Sequence, residues 1–395
     1  MTKAPTKLPL AALLPLSTAA FSTLLTEMMP AGLLPQMSAD LRCSPAAVGL
    51  LVSVCAIAST VAAIPIVAVT RGLPRRPLLI ALLGGFVVVN ATTAWSSTYE
   101  LTVVARVFTG LLMGTLWPLL AGYAWHLTTR DKAGRAVAVA LAGSTVAMSF
   151  GLPLGSVVGG LIGWRMIFAI LSLVPLLLIG WVAWKLPSVP GETVEERISL
   201  LQVAIRPGFP IVLGATLVTV LAHYTLYTYM APLAAKLQLV GGTGTALLLF
   251  GVGALVGIWI VGRTVDEHLR RTAWGAMLLT GITMLSLGVL ARFAVIDYVT
   301  IFLWGVSFGG VPTFFQTATN NTAGPPADVA ASMLSTIYSF GIFGGSALGG
   351  LLLEVEGVLS LSWVTLIIIV SAIALVAFGH RQAFPRTDRR PREAS

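Results

Sequence analysis

The sequence predicts an all-α integral membrane protein with twelve transmembrane helices, on three observations. Of its 395 residues 56% are hydrophobic and only 10% charged, with a mean hydropathy of +0.92, whereas a soluble domain is roughly 25% charged. A helix needs about 20 apolar residues to cross a hydrocarbon core ~30 Å thick. Runs of that kind recur near 8–35, 45–70, 77–95, 100–126, 136–160, 165–184, 208–232, 243–262, 272–291, 298–320, 328–352 and 361–380. They are continuous rather than short and alternating, which excludes a closed β-barrel.

The first run is far too long for a cleaved secretory signal and is expected to stay as the first span. Cys43 and Cys55 stand twelve positions apart at the start of the second. That is about 18 Å of helical rise, so they cannot pair within it, and no disulfide framework is implied. With both termini in the cytoplasm, nineteen Lys and Arg residues fall on inner segments, among them Arg71, Arg75, Arg76, Arg130, Lys185 and Arg263. Only Arg42, Arg165, Lys236 and Arg292 fall outside. Positive charge marks the cytoplasmic side, so the expected location is the inner (cytoplasmic) membrane, multi-pass. The formal charge of +9 is this same topology signal. Its residues are scattered over short loops, so no nucleic-acid partner is expected. One cation, Arg106, lies inside the fourth span.

Residues 185–206, "KLPSVPGETVEERISLLQVAIR", are the only long polar stretch between spans. They divide the chain into an N-terminal six-helix bundle (1–185), a cytoplasmic linker (186–206), a C-terminal six-helix bundle (207–380) and a basic tail (381–395) expected to be disordered. A shift of 190 positions lays "FGLPLGSVVGGL" (150–161) on "FGIFGGSALGGL" (340–351) with seven of twelve residues identical. The match falls on the fifth span of each half, which points to an internal repeat.

The loop after the eighth span reads "GRTVDEHLRR", with Gly262, Asp266, Arg270 and Arg271, and the double arginine recurs at Arg75 and Arg76. These marks resemble the loop signature of the major facilitator superfamily. Val67 and Arg71 stand at its Gly and Asp positions in the first half. "RVFTGLLMGTLWP", with Arg106, Gly110, Gly114 and Pro118, is similar to that family's arginine-bearing fourth helix. "GLPLGSVVGG", with Gly151, Pro153, Gly155, Gly159 and Gly160, is similar to its antiporter motif. Small residues every fourth position let helices approach closely, and Pro frees backbone groups, so a conformational motif and plain close packing are both open. "TEMMPAGLLP", "LAHYTLYTYMAPL" and "GLPLG…GWR" resemble bacterial sugar efflux transporters of the drug:proton antiporter branch. The resemblance implies two pseudo-symmetric six-helix bundles around a central cavity lined by helices 1, 4, 7 and 10. It also implies a monomer exporting a sugar or thiogalactoside, an amphiphilic drug such as a phenicol, or a nucleoside.

Of fifteen acidic residues Glu27 alone lies well inside a span. A charge there costs several kcal/mol and normally faces a cavity with a partner. Counted from the outer ends of their runs, Glu27, Arg106 and His223 lie about 12, 10 and 13 Å deep, at one level. Burial favours the neutral carboxyl and a guanidinium favours the carboxylate, so a movable Arg106 or an arriving solute could switch Glu27 as a proton carrier. A static Glu27–Arg106 pair is the alternative. His223 could handle the proton or serve as a neutral hydrogen-bonding residue. Tyr224, Tyr227 and Trp117 are candidate substrate contacts, with faces for stacking and polar tips. Gln316 and Asn320 are further polar candidates, and Asn320 with Asn321 could instead cap the inner end of helix 10.

No G-x-x-x-x-G-K-[ST] run is present, so transport would draw on an ion gradient. No metal spacing and no cofactor motif stand out. "GVSFG" (305–309) matches a nucleophile pattern without the strand it requires. An intramembrane hydrolase on Ser307, a passive channel and uptake by proton symport are the competing readings.

Overall fold

The computed structural model describes residues 9–70, 72–129, 133–191, 200–291, 293–323, 327–379 and 383–384. Among these, twelve helices are long and apolar enough to cross a membrane. They are α1 (Leu10–Gly32), α2 (Pro45–Thr70), α3 (Arg75–Trp95), α4 (Tyr99–His126), α5 (Ala136–Ile162) and α6 (Trp164–Lys185). The second six are α7 (Phe209–Tyr227), α8 (Gly242–Val265), α9 (Glu267–Leu290), α10 (Val295–Ala323), α11 (Ala330–Glu356) and α12 (Val358–Phe378). The twelve apolar runs match them to within five residues at either end. The chain divides into two compact units, Met1–Arg197 with Thr228–Ala231, and Ile198–Tyr227 with Pro232–Ser395.

In the first unit α1 and α5 meet along a four-residue repeat. Gly143, Gly151, Gly155 and Gly159 face Ser17, Leu25, Met29 and Leu33 in step. A Cβ on Gly155 would lie 2.6 Å from Met29 Cε, and one on Gly143 would collide with the Ser17 carbonyl. Gly160 is not part of this seam; its nearest neighbour would be Gln36 Nε2 at 3.7 Å. The helix is π-wound over Ala147–Gly151, just before Pro153. Proline has no N–H for the carbonyl four residues back, and the wider turn absorbs that defect. Gly110 and Gly114 of α4 press on the α2 backbone at Cys55 and Ser59.

The second unit repeats these pairings. Gly341 and Gly345 of α11 lie on Val220 and Leu221 of α7. Gly253 and Gly257 of α8 interlock with Gly305 and Gly309 of α10, each against a carbonyl of the other helix. Close backbone contact between small residues is how helices associate where lipid gives no hydrophobic drive.

Two helices differ from a straight reading. The seventh run was expected to reach 232, but α7 ends at Tyr227 and a separate helix spans Met230–Lys236. Pro232 therefore sits in the first turn of that next helix, where proline is tolerated. His223 lies about one turn before the break that ends α7. Helix α10 is broken between Gly309 and Val311, and Pro312 again falls in the first turn after the break.

The start of the expected linker is fastened to the first unit. Pro187 O accepts from Tyr123 Oη at 2.6 Å and Val189 O from the Arg75 amide at 2.9 Å, while Arg76 donates to Ala183 O in the last turn of α6. The chain turns from α8 into α9 at His268, the one residue with non-helical φ/ψ in that stretch. Arg270 is half-buried and Arg271 more exposed in the first turn of α9. The side chains of Asp266 and Val67, and all of Arg71, Arg130, Lys132, Arg197 and Arg292, lie outside the described residues, as does the tail beyond Phe384.

Between α5 and α6, Gly163 adopts φ +87° and turns Trp164 and Arg165 onto Asp40. Asp40 Oδ2 accepts from Trp164 Nε1 at 3.0 Å and from Arg165, whose Nη2 also reaches Ser96 O at 3.2 Å. The ion pair is about half exposed on both sides, so by itself it is worth at most about 1 kcal/mol. Trp164 is 1% exposed, and an orphaned buried N–H costs roughly 1–3 kcal/mol. Asp40→Ala is therefore expected to lower the melting temperature in detergent more than Arg165→Ala; equal shifts would show that the indole bond contributes nothing.

Candidate functional sites in the two units

In the first unit the polar residues of the membrane interior form a network assembled by two prolines. Pro30 in α1 has no N–H to offer the Thr26 carbonyl, and Pro175 in α6 none for the Leu171 carbonyl. Each freed carbonyl takes a side-chain donor instead. Arg106 Nη1 donates to Thr26 O, and Asn90 Nδ2 donates to Leu171 O at 3.1 Å. The same Asn90 amide reaches Thr26 Oγ1 at 3.1 Å, so Thr26 joins α1, α3 and α4. The Phe168 ring lies 4.8 Å from the Arg106 guanidinium carbon and stabilises the cation through its face.

Arg106 is fully buried and Glu27 is 5% exposed. They are near enough to act on each other electrostatically. Yet Glu27 and Arg106 do not form an ion pair within 4.0 Å, as Arg165 and Asp40 do. Arg106 Nε and Nη2 have no hydrogen-bond partner. A guanidinium held on one side by a carbonyl and a ring, with two donors unspent, can accept an arriving carboxylate or hydroxyl.

In the second unit His223 and Tyr227, one turn apart on α7, face Trp304 and Phe308, one turn apart on α10, with Phe250 of α8 beside them. The His223 ring stacks on Phe308 at 3.3 Å and 7°, and on Tyr227 at 4.8 Å and 26°. Trp304, Phe250 and Tyr224 lie 5.3, 5.5 and 5.0 Å from it. Both His223 nitrogens, Tyr227 Oη and Trp304 Nε1 are buried without a hydrogen-bond partner. The contact of Gly305 with the Phe250 carbonyl draws α8 and α10 together and so sets Phe250 beside Trp304.

The other expected site residues are dispersed. Trp117 packs against the apolar core of the first unit. Gln316 Nε2 donates to Asn320 Oδ1 at 3.0 Å, so Asn320 bonds along the helix rather than capping it. Val311, Phe314, Phe315, Ala318 and Thr319 form the buried face of this helical piece, and Gln316, Asn320 and Asn321 lie off it. Polar side chains inside a span fit a water-lined path and not lipid. Tyr229 is buried, while Trp95 is 82% exposed, as an interfacial residue would be. The Ser307 hydroxyl donates to Trp304 O at 2.7 Å and accepts from Thr280 at 2.9 Å, so its proton points at a backbone carbonyl and not at a base.

Sequence reasoning passed over Asn90, Thr26, Phe250, Trp304 and Phe308. The prolines four residues after Thr26 and Leu171, and the four-residue aromatic spacings, are the signals that mark them. Asn90→Leu removes both bonds and strands the Leu171 carbonyl, so it should cost about 1–3 kcal/mol. Thr26→Val, which removes one acceptor, should cost less; a reversed order in thermal melts would contradict the network.

A family model described as Major Facilitator Superfamily matches residues 16–333. The chain belongs to that superfamily. Among curated members of known naming, a probable sugar efflux transporter of Mannheimia succiniciproducens is 27% identical over 91% of this chain and 91% of its own. A purine ribonucleoside efflux pump, NepI, of Salmonella paratyphi B is 26% identical over 85% of each. Among solved structures, a bacterial homolog of the human lysosomal transporter Spinster matches with a TM-score of 0.79 at 13% identity, covering 96% of this chain and 98% of that one. The major facilitator fold and its multi-pass insertion in a bilayer follow from these matches and the twelve helices.

Proposed function

We propose that this major facilitator protein is a proton-coupled exporter of a small polar solute, a sugar or a purine nucleoside, working as a monomer in the inner membrane with both termini cytoplasmic. The solute classes come from the relatives, one named for sugars and one for purine ribonucleosides. The observation that carries the coupling is the buried Glu27 beside an Arg106 whose Nε and Nη2 are unspent.

Glu27 and the solute exclude each other's proton state. Solute hydroxyls donate to a carboxylate more strongly than to a neutral acid, so solute binding favours loss of the Glu27 proton. By reciprocity, protonation lowers solute affinity. Arg106 supports the carboxylate once the proton has gone, and the Thr26 carbonyl and the Phe168 ring hold Arg106 in place. Inward proton flow then drives solute outward by alternating access. Uptake by symport would need the opposite sign, with solute and proton favouring one another.

Everted membrane vesicles, acidified inside and carrying a pH-sensitive dye, test this. Adding pentoses, thiogalactosides, nucleosides and phenicols in turn should release luminal protons with one class. Release with none, or solute-driven acidification, would overturn the antiport reading.

A further inference from the structure

We propose that the His223 imidazole occupies the slot of a planar, uncharged heteroaromatic ring, and that the transported solute carries such a ring and displaces it. This rests on the efflux reading above and narrows its solute class.

The imidazole is itself a flat ring with two nitrogens, and it has both faces covered. Phe308 lies 3.3 Å away on one side and Tyr227 4.8 Å on the other, at 7° and 26°. Such a parallel stack is the arrangement a heteroaromatic ligand takes between two aromatic side chains. The edge of the stack is polar and unsatisfied, at both His223 nitrogens, Tyr227 Oη and Trp304 Nε1. His223, Tyr227 and Trp304 are each at most 1% exposed, so no bulk water reaches them.

The chemistry of those atoms selects the ligand. The indole N–H of Trp304 only donates and the Tyr227 phenol donates or accepts, so the edge left once His223 has moved offers both a donor and an acceptor. A ring with both acceptor nitrogens and donor N–H groups matches this set, as a nucleobase does. A bare sugar has no flat ring to fill the parallel space between Phe308 and Tyr227. A quaternary ammonium would use the faces but leave the indole N–H with nothing to donate to. Rotation of His223 out of the stack would open the slot and give its nitrogens to solvent.

Isothermal titration of the purified full-length chain in detergent, without a proton gradient, tests the slot with inosine, ribose, methyl thiogalactoside and choline as probes. Inosine is expected to bind, and the three probes without an aromatic ring are not expected to bind over the same range. Phe308→Leu keeps apolar volume but loses a stacking face and should weaken inosine about tenfold. His223→Ala should bind inosine at least as tightly as wild type, because nothing has to leave the slot. Equal binding of methyl thiogalactoside, binding of choline, unchanged affinity in Phe308→Leu, or loss of binding in a His223→Ala protein with a wild-type melt would each overturn the proposal. The vesicle assay separates the two ideas. Proton release by a ring-free sugar keeps efflux and rejects the slot, and inosine binding without proton release does the reverse.

Discussion

Glu27→Gln is expected to abolish solute efflux against a gradient while leaving solute exchange across the membrane intact. Glutamine keeps the shape and one hydrogen-bonding oxygen but has no proton to trade. In the wild type, solute affinity should fall as pH is lowered through the titration of Glu27, by a factor on the order of 10–100 for a coupling of this kind. In Glu27→Gln that pH dependence should collapse to about onefold, with affinity held near one value at every pH. Counterflow of labelled solute in proteoliposomes reads exchange, and efflux under an imposed pH gradient reads coupling. A mutant that still concentrates solute would remove Glu27 from the mechanism. A mutant that loses exchange as well would assign Glu27 to solute binding and not to the proton.

Gly143→Leu is expected to prevent the first unit from assembling. Even the Cβ would collide with the Ser17 carbonyl, which belongs to the α1 backbone and cannot rotate away. Overpacking a core usually costs about 1–3 kcal/mol, and a collision with backbone lies at or above the top of that range. Gly180→Leu is the matched control. Gly180 is exposed on α6 and a side chain there would meet nothing within 4 Å, so exchanging glycine for a good helix former should be neutral or stabilising by up to about 1 kcal/mol. The yield of monodisperse protein after detergent extraction and its melting temperature report both. Wild-type behaviour of Gly143→Leu would mean that α1 and α5 are not packed along this seam.

The twelve spans were legible because each is a composition signal long enough to stand alone, and the family motifs lay on corresponding helices of the two halves. Glu27 and Arg106 stood out in the sequence because a charge in an apolar run has few explanations. The network around them was only half visible. Pro30 and Pro175 announce two free carbonyls, but which donor arrives depends on how α3 and α4 pack against α1 and α6, and no local pattern encodes that. Asn90 looked like one more polar residue among "NATTAW".

The aromatic cluster was hidden differently. Trp304 and Phe308 repeat at helical spacing, yet an aromatic residue in a membrane helix fits a lipid face as well as a stack. Their partners His223 and Tyr227 were noticed because they carry polar atoms. The end of the seventh span was misplaced because Pro232 was taken to close α7, whereas it lies in the first turn of the next helix. The physics of proline allows both, and only the break between Tyr227 and Met230 separates them.

The central claim is that solute binding and the Glu27 proton are mutually exclusive. The most direct measurement is proton release when solute is added to the purified protein in unbuffered detergent solution. The account predicts about one proton released per solute bound by wild type at a pH where Glu27 is protonated, and none from Glu27→Gln. Binding without release by wild type, or equal release from the mutant, would contradict it.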